Sequence, residues 1–256
     1  MIAICALVLA AALPFDSGLP ALAQDKQDPP QPPKSGKFRG EIVDPESKDV
    51  IMKVRMQIPD PPAAGKKWGF IFVCHGSKGS EGNSYLDGTV AALKRQGLDQ
   101  DYLVVAGKSK GDGWTEEDDG RFLKLYEWAK KTYPVDPERL YLFGSSNGAR
   151  FVCRFGFAHQ DIVKAVVSYC GFYDFSKQPD GDKKVEWFFV HGSKDNPQQS
   201  QKMVDELKKR GYQTTFKLLE DYGHTGIWDG KDHPEAKLVD EVRDEWTKWL
   251  NGIPRK

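Results

Sequence analysis

A serine hydroxyl becomes a useful nucleophile only when a base takes its proton and nearby dipoles stabilise the charge that follows. The run Gly144-Ser145-Ser146-Asn147-Gly148 sets Ser146 midway between two glycines, a position that Ser145 does not share. In a Gly-x-Ser-x-Gly segment the serine stands proud on a tight strand-to-helix turn, and its small neighbours let strand and helix approach closely. Leu140-Tyr141-Leu142-Phe143 reads as the strand before it, and Ala149-Arg150-Phe151-Val152 as the opening of the helix after it. A helix N-terminus behind the serine also favours developing negative charge.

The base that such a serine needs is usually a histidine oriented by a carboxylate. Five histidines are present: His75, His159, His191, His224 and His233. His224 lies in Asp221-Tyr222-Gly223-His224-Thr225, where a glycine after a strand makes a loop able to swing the imidazole toward Ser146. Its competitor, His233, precedes Pro234 at the start of the last helix. For a Gly-x-Ser-x-Gly serine the carboxylate falls between serine and histidine in chain order. Asp195 qualifies, because Val190-His191-Gly192-Ser193-Lys194-Asp195 leaves the end of a strand. Asp221 and Asp174 are its rivals, the first close enough to His224 to serve as a turn residue and the second one strand earlier. His75-Gly76-Ser77-Lys78-Gly79 ends another strand in a glycine-rich turn that can aim backbone N–H groups at an oxyanion. The expected donors are the amides of Ser77 and Asn147. His75 reads as a residue that fixes this loop, and His191 as structural.

Two periodicities alternate among the elements that must hold these residues. Val50 to Ile58 alternates apolar with polar, as a half-buried strand does. Phe70 to Cys74 and Tyr102 to Ala106 are continuous apolar runs, suited to strands buried on both faces. Further strands are expected at Leu140–Phe143, Val163–Tyr169, Val185–Val190 and Thr214–Leu219. Helices are expected at Asp118–Lys131, Asn147–Phe157, Gln198–Arg210 and Glu235–Leu250, the third closed by Gly211. Strand and helix in repeated alternation imply an α/β fold, a mostly parallel central sheet with helices on both faces. Such sheets place ligands at the carboxyl ends of their strands, where every motif above falls.

At 39% hydrophobic and 29% charged residues, the chain suits a water-soluble globular domain. A formal net charge of +0, with no zinc-finger spacing or long basic run, gives no reason to expect nucleic acid as a partner. The first residues differ. Ile2 to Leu13 is almost wholly apolar and Ala21-Leu22-Ala23 is a small-x-small triplet, so residues 1–23 read as a signal peptide and the protein as secreted or periplasmic. No Lys or Arg precedes the apolar run, which is too short for a stable membrane anchor. Residues 24–37, rich in Pro, Lys, Gln and Asp, read as a disordered linker, and residues 38–252 as one catalytic domain. Beyond Cys5 the chain keeps Cys74, Cys153 and Cys170, an odd set in which Cys153 with Cys170 is a possible pair. No ligand cluster has metal spacing, so neither metal nor cofactor is expected. Oligomeric state is left open by the sequence.

His75-Gly76, Gly144-x-Ser146-x-Gly148, His191-Gly192-x-x-Asp195 and Gly223-His224 follow one another in order. Together they resemble the α/β-hydrolase family, and within it the small secreted esterases of polyhydroxybutyrate-depolymerase-like, feruloyl-esterase-like and dienelactone-hydrolase-like type. Val135-Asp136-Pro137-Glu138-Arg139-Leu140-Tyr141-Leu142 is similar to the run before the nucleophile in those esterases, and the likeness covers nearly all of the chain after the linker. It departs at Asn147 and Ala149, which blurs any one subfamily. The resemblance implies a carboxylic-ester hydrolase working through an acyl-enzyme, on a small or polymer-attached ester. The stretch between Tyr169 and Val185 is too short for the helical lid found in many lipases, which implies an open cleft. Trp114, Phe172, Tyr173 and Trp228 sit beside the catalytic loops, as cleft walls or as packing. Two other functions share the same parts: a prolyl-oligopeptidase-like serine peptidase, and a non-catalytic binding protein on this scaffold.

Overall fold

The computed structural model describes residues 32–82, 84–176, 178–224 and 236–254. The signal-like segment, most of the linker, Trp228 and His233 lie outside them. Eight strands form one sheet in the order β1-β2-β4-β3-β5-β6-β7-β8. They are β1 (Gly36–Val43), β2 (Val50–Ile58), β3 (Trp68–Cys74), β4 (Tyr102–Gly107), β5 (Val135–Ser145), β6 (Val163–Tyr169), β7 (Glu186–Gly192) and β8 (Thr214–Leu219). The first two strands run antiparallel to their neighbours, while β4, β3, β5, β6, β7 and β8 are mutually parallel. This is the mostly parallel α/β sheet that the alternating periodicities predict. Between β6 and β7 the described residues form no helix or strand.

Among the described residues five helices cover it: α1 (Ser84–Arg95), α2 (Glu117–Thr132), α3 (Asn147–Ala158), α4 (Pro197–Lys209) and α5 (Ala236–Gly252). Successive strand side chains point to opposite faces, so each continuous apolar run feeds two cores. Phe70 and Phe72 of β3 join α2, α3 and α4 through Phe122, Phe155 and Leu207. Ile71 and Val73 of the same strand join α1 and α5 through Leu93 and Trp246. Every residue of β3 is buried, as a strand covered on both faces requires.

Two elements escape the sequence reading. Helix α1 buries Leu86, Ala92 and Leu93, but Gly88 and Thr89 dilute its stripe, and its partner is distant in sequence. Arg95 bonds Asp244, and Gln96 bonds the main chain of Asp244 and the Thr247 hydroxyl, all on α5. Strand β1 opens at Gly36, so Gly36 and Lys37, placed in the linker by composition, pair with Ile58 and Gln57. Strand β5 is also longer than its apolar run, because Val135 reaches Trp68 of β3 through Asp136-Pro137-Glu138. The suggested Cys153–Cys170 disulfide is absent. All three described cysteines are free and buried, one each on β3, α3 and the end of β6, where they fill the core as small apolar groups.

Candidate active site

Ser146 occupies the junction of β5 and α3 with φ 53° and ψ −115°, a backbone conformation that a side chain rarely adopts. Its setting explains how the conformation is held. A Cβ on Gly148 would fall 2.4 Å from the His75 carbonyl oxygen, and one on Gly144 would fall 2.3 Å from that of Gly148. Only glycines let the end of β3, the end of β5 and the start of α3 meet here. The Ser146 N–H donates to the Tyr169 carbonyl at 2.9 Å, which ties the turn to β6.

Three side chains form one hydrogen-bonded row at the carboxyl edge of the sheet. His224 Nδ1 lies 2.7 Å from Asp195 Oδ2 and must donate to it, since a carboxylate only accepts. Nε2 is thereby the acceptor, and the Ser146 hydroxyl donates to it at 2.9 Å. His224 is the exposed member and Asp195 the half-buried one. The loops that carry them are laced together. Ser193 N–H donates to the Leu219 carbonyl, Lys194 N–H to that of Tyr222, and Asp221 N–H to the Ser193 hydroxyl. The rival Asp221 points outward to Lys194 at 3.1 Å, and Asp174 accepts from the Ser176 N–H in its own loop.

Asp195 has two further neighbours that the sequence did not reveal. His191, at the end of β7, donates from Nε2 to the Asp195 carbonyl at 2.7 Å, and the same nitrogen lies 3.2 Å from Oδ2. The Ser200 hydroxyl of α4 fixes the other side of that ring at 2.8 Å from Nδ1. The Cys170 thiol lies within 4.8 Å of the Asp195 carboxylate; burial, with the carboxylate's field adding to it, pushes this thiol well above the ordinary range. It therefore stays protonated. Cys170, Asp195 and His224 are the group of potential metal ligands found among the described residues, with ligand atoms within 4.8 Å of one another. A soft metal needs the thiolate, which burial opposes there.

Of the two residues whose amides are expected to face an oxyanion, one adjoins Ser146 in the chain and the other follows a glycine packed near it. Asn147 begins α3, where first-turn N–H groups lack intrahelical acceptors. Ser77 follows Gly76, whose added Cβ would stand 3.4 Å from that of Ser146. The Ser77 turn is closed by Gly79 N–H on the Gly76 carbonyl at 3.1 Å and by Lys78 N–H on the Asp112 carbonyl at 2.5 Å. His75 holds the loop from beneath. Its Nδ1 donates to the Gly76 carbonyl at 2.7 Å while its Nε2 accepts from Ser109 N–H at 3.2 Å. Burial lowers its pKa below 6.5, which favours this neutral form.

Asn147 contributes its side chain as well as its amide. Its Oδ1 accepts from the Trp114 N–H at 2.5 Å, and the Trp114 indole N–H donates to the His75 carbonyl at 3.1 Å. Trp114 is 4% exposed and packs on Phe72 and Phe151. It is mainly packing, although its edge borders a groove of about 900 Å³ along α3. Tyr173 forms another part of that groove, whereas Phe172 is 43% exposed nearby.

No protein-family profile and no curated relative match the sequence. Solved structures do align with the fold. A thermostable esterase superposes with a TM-score of 0.65 at 17% identity over 84% of this chain, which spans only 62% of that protein's length. A ferulic acid esterase gives 0.64 at 14% identity, covering 86% of this chain and 99% of the other. An α/β serine hydrolase without a lid, from Xanthomonas campestris, gives 0.57 at 19% identity over 89% of this chain and all of its own. The architecture is that of the α/β-hydrolases.

Proposed function

We propose that this α/β-hydrolase-fold protein is a serine hydrolase that cleaves carboxylic esters through an acyl-enzyme. The observation that carries the reading is the unbroken row from Asp195 through His224 to Ser146, at 2.7 and 2.9 Å, with the serine on a strained elbow. Ser146 Oγ attacks the acyl carbon as His224 Nε2 takes its proton. The same nitrogen returns the proton to the departing alkoxide. Asp195 holds the imidazole in the required tautomer and stabilises its cation. The amides of Ser77 and Asn147 receive the oxyanion. Water, activated by His224, then releases the acid. The names of the aligned esterases and of the ferulic acid esterase support an ester substrate. Export on residues 1–23 belongs to the same proposal, and it predicts a mature chain recovered outside the cytoplasm without that segment.

Fluorophosphonate labelling of intact protein, followed by a panel of p-nitrophenyl and feruloyl esters, tests the reading. Wild type labels on Ser146 and turns esters over, while Ser146→Ala does neither, with kcat falling by about 10⁴-fold or more. Equal labelling of Ser146→Ala would remove Ser146 as the nucleophile. Turnover of aminoacyl-proline substrates without ester turnover would favour the peptidase reading.

A further inference from the structure

The groove along α3, whose wall includes Asn147 next to Ser146 in the chain, carries three cations, and two are already paired. Arg154 grips both carboxylate oxygens of Asp119 at 2.7 and 2.5 Å, and Lys110 meets Glu117 at 2.9 Å. Arg150 is the third, exposed and without an ion pair or side-chain hydrogen bond among the described residues. It stands one helical turn beyond the nucleophile, its N–H donating to the Ser146 carbonyl at 3.0 Å. Helical side chains lean back toward the N-terminus, so Arg150 covers the turn that holds Asn147 and Ser146. Within a helix, residues three apart, as Asn147 and Arg150 are, have Cβ atoms about 5–6 Å from each other. The rest of the wall is fixed: Trp114 and Phe151 have ring centroids 5.0 Å apart, and Asn147 pins the Trp114 main chain. The loop after β6 closes the other side. A Cβ on Gly171 would lie 2.3 Å from that of Ala149 and 3.1 Å from the Arg150 main-chain nitrogen, and Tyr173 follows on the groove wall.

We infer that Arg150 selects esters bearing a carboxylate, held in this groove while the ester carbonyl faces Ser146. The inference rests on the esterase reading above and adds its substrate class. A guanidinium can grip a carboxylate through two parallel N–H bonds, which an ammonium cannot reproduce. Glu116, also on the groove wall, adds its field to Arg154 and repels an anion that strays from Arg150. The carboxylate can belong to either half of the ester, and the two halves give separate arms of the test.

Matched pairs place the charge in each half: mono-p-nitrophenyl succinate against p-nitrophenyl butyrate, and 4-carboxyphenyl acetate against phenyl acetate. Wild type should favour the anionic member of one pair by about five- to tenfold in kcat/KM, between the values for an exposed ion pair and for a desolvated charge-assisted bond. That ratio should shrink at high salt, collapse toward one in Arg150→Gln and recover only in part in Arg150→Lys. The favoured pair identifies which half of the ester occupies the groove. No anionic preference in either pair, or a ratio unchanged in Arg150→Gln, overturns the inference. A parallel binding measurement separates it from the esterase reading. Saturation-transfer NMR on Ser146→Ala should detect 4-carboxyphenyl acetate or mono-p-nitrophenyl succinate more strongly than its neutral partner. The difference should vanish in Ser146→Ala/Arg150→Gln. Its presence without wild-type ester turnover would sink the esterase reading alone, and its absence despite turnover would sink Arg150 alone.

Discussion

Asp195 is gripped from two sides. His224 takes one carboxylate oxygen at 2.7 Å, and His191 holds the residue's carbonyl at 2.7 Å while lying 3.2 Å from the same oxygen. A carboxylate that drifts by an ångström ceases to orient its imidazole, and such a misplacement costs up to about 100-fold in rate. In the proposed mechanism His191 is thus a positioning residue. His191→Ala should lower kcat by about tenfold or more with little change in KM, and alter the pH profile of kcat. Gln can present an N–H near the position of Nε2, so His191→Gln should recover much of the loss. A kcat for His191→Ala equal to that of wild type would end this role. In the sequence His191 showed only as part of a repeated His-Gly pair. Its contact with Asp195 depends on a turn that folds back over four residues, and no periodicity encodes that.

At the scale of elements, the elbow is a packing solution with no spare volume. In Gly148→Ala the new methyl would meet the carbonyls of His75 and Cys74 at 2.4 and 2.6 Å, both of them main-chain atoms. Strand and helix would have to part, at a cost of about 3 kcal/mol or more, read from urea midpoints. Gly120 provides the contrast. It lies inside α2, and nothing stands within 4 Å of an added Cβ. Gly120→Ala should therefore stabilise the protein by about 0.5–1 kcal/mol, through helix propensity and a less disordered unfolded chain. A destabilised Gly120→Ala would show that α2 meets a contact that this packing does not contain. Periodicity exposed the elements with pure apolar runs and left α1 hidden, because the face of α1 is completed by α5 from the far end of the chain.

For the molecule as a whole, buried titratable groups set how stability follows pH and oxidation. Burial holds the pKa of His75 below 6.5 in the folded state. The unfolded chain therefore binds this proton more readily. Its contribution is complete above about pH 6.5, is lost as pH falls from there to the folded value, and is level below that. Urea midpoints should decline over this window, and His75→Asn, which keeps a donor near Nδ1, should be less stable overall but show a smaller decline. An equal decline in both proteins would assign the proton elsewhere. Burial also raises the thiol pKa of Cys74, Cys153 and Cys170. Ellman's reagent should accordingly leave these three unmodified in native protein and react with them in denaturant.

The sequence alone determined what depends on neighbours in the chain. The elbow serine needs two glycines and a strand-to-helix junction within five residues, so Ser146 was legible, and β-strand periodicity located the loops of Asp195 and His224. It also carried the parallel α/β sheet, since buried strands are apolar throughout. Tertiary structure decided what depends on distance through space. It joined His224 to Asp195 and Ser146, drew His191 and Cys170 onto the carboxylate, and turned the Asn147 side chain into the anchor of the Trp114 loop. It also left Arg150 unpaired among the described residues, while its neighbours found carboxylates on α2. Those contacts arise where the ends of separate parallel strands converge, and a linear pattern has no record of which loops will meet there.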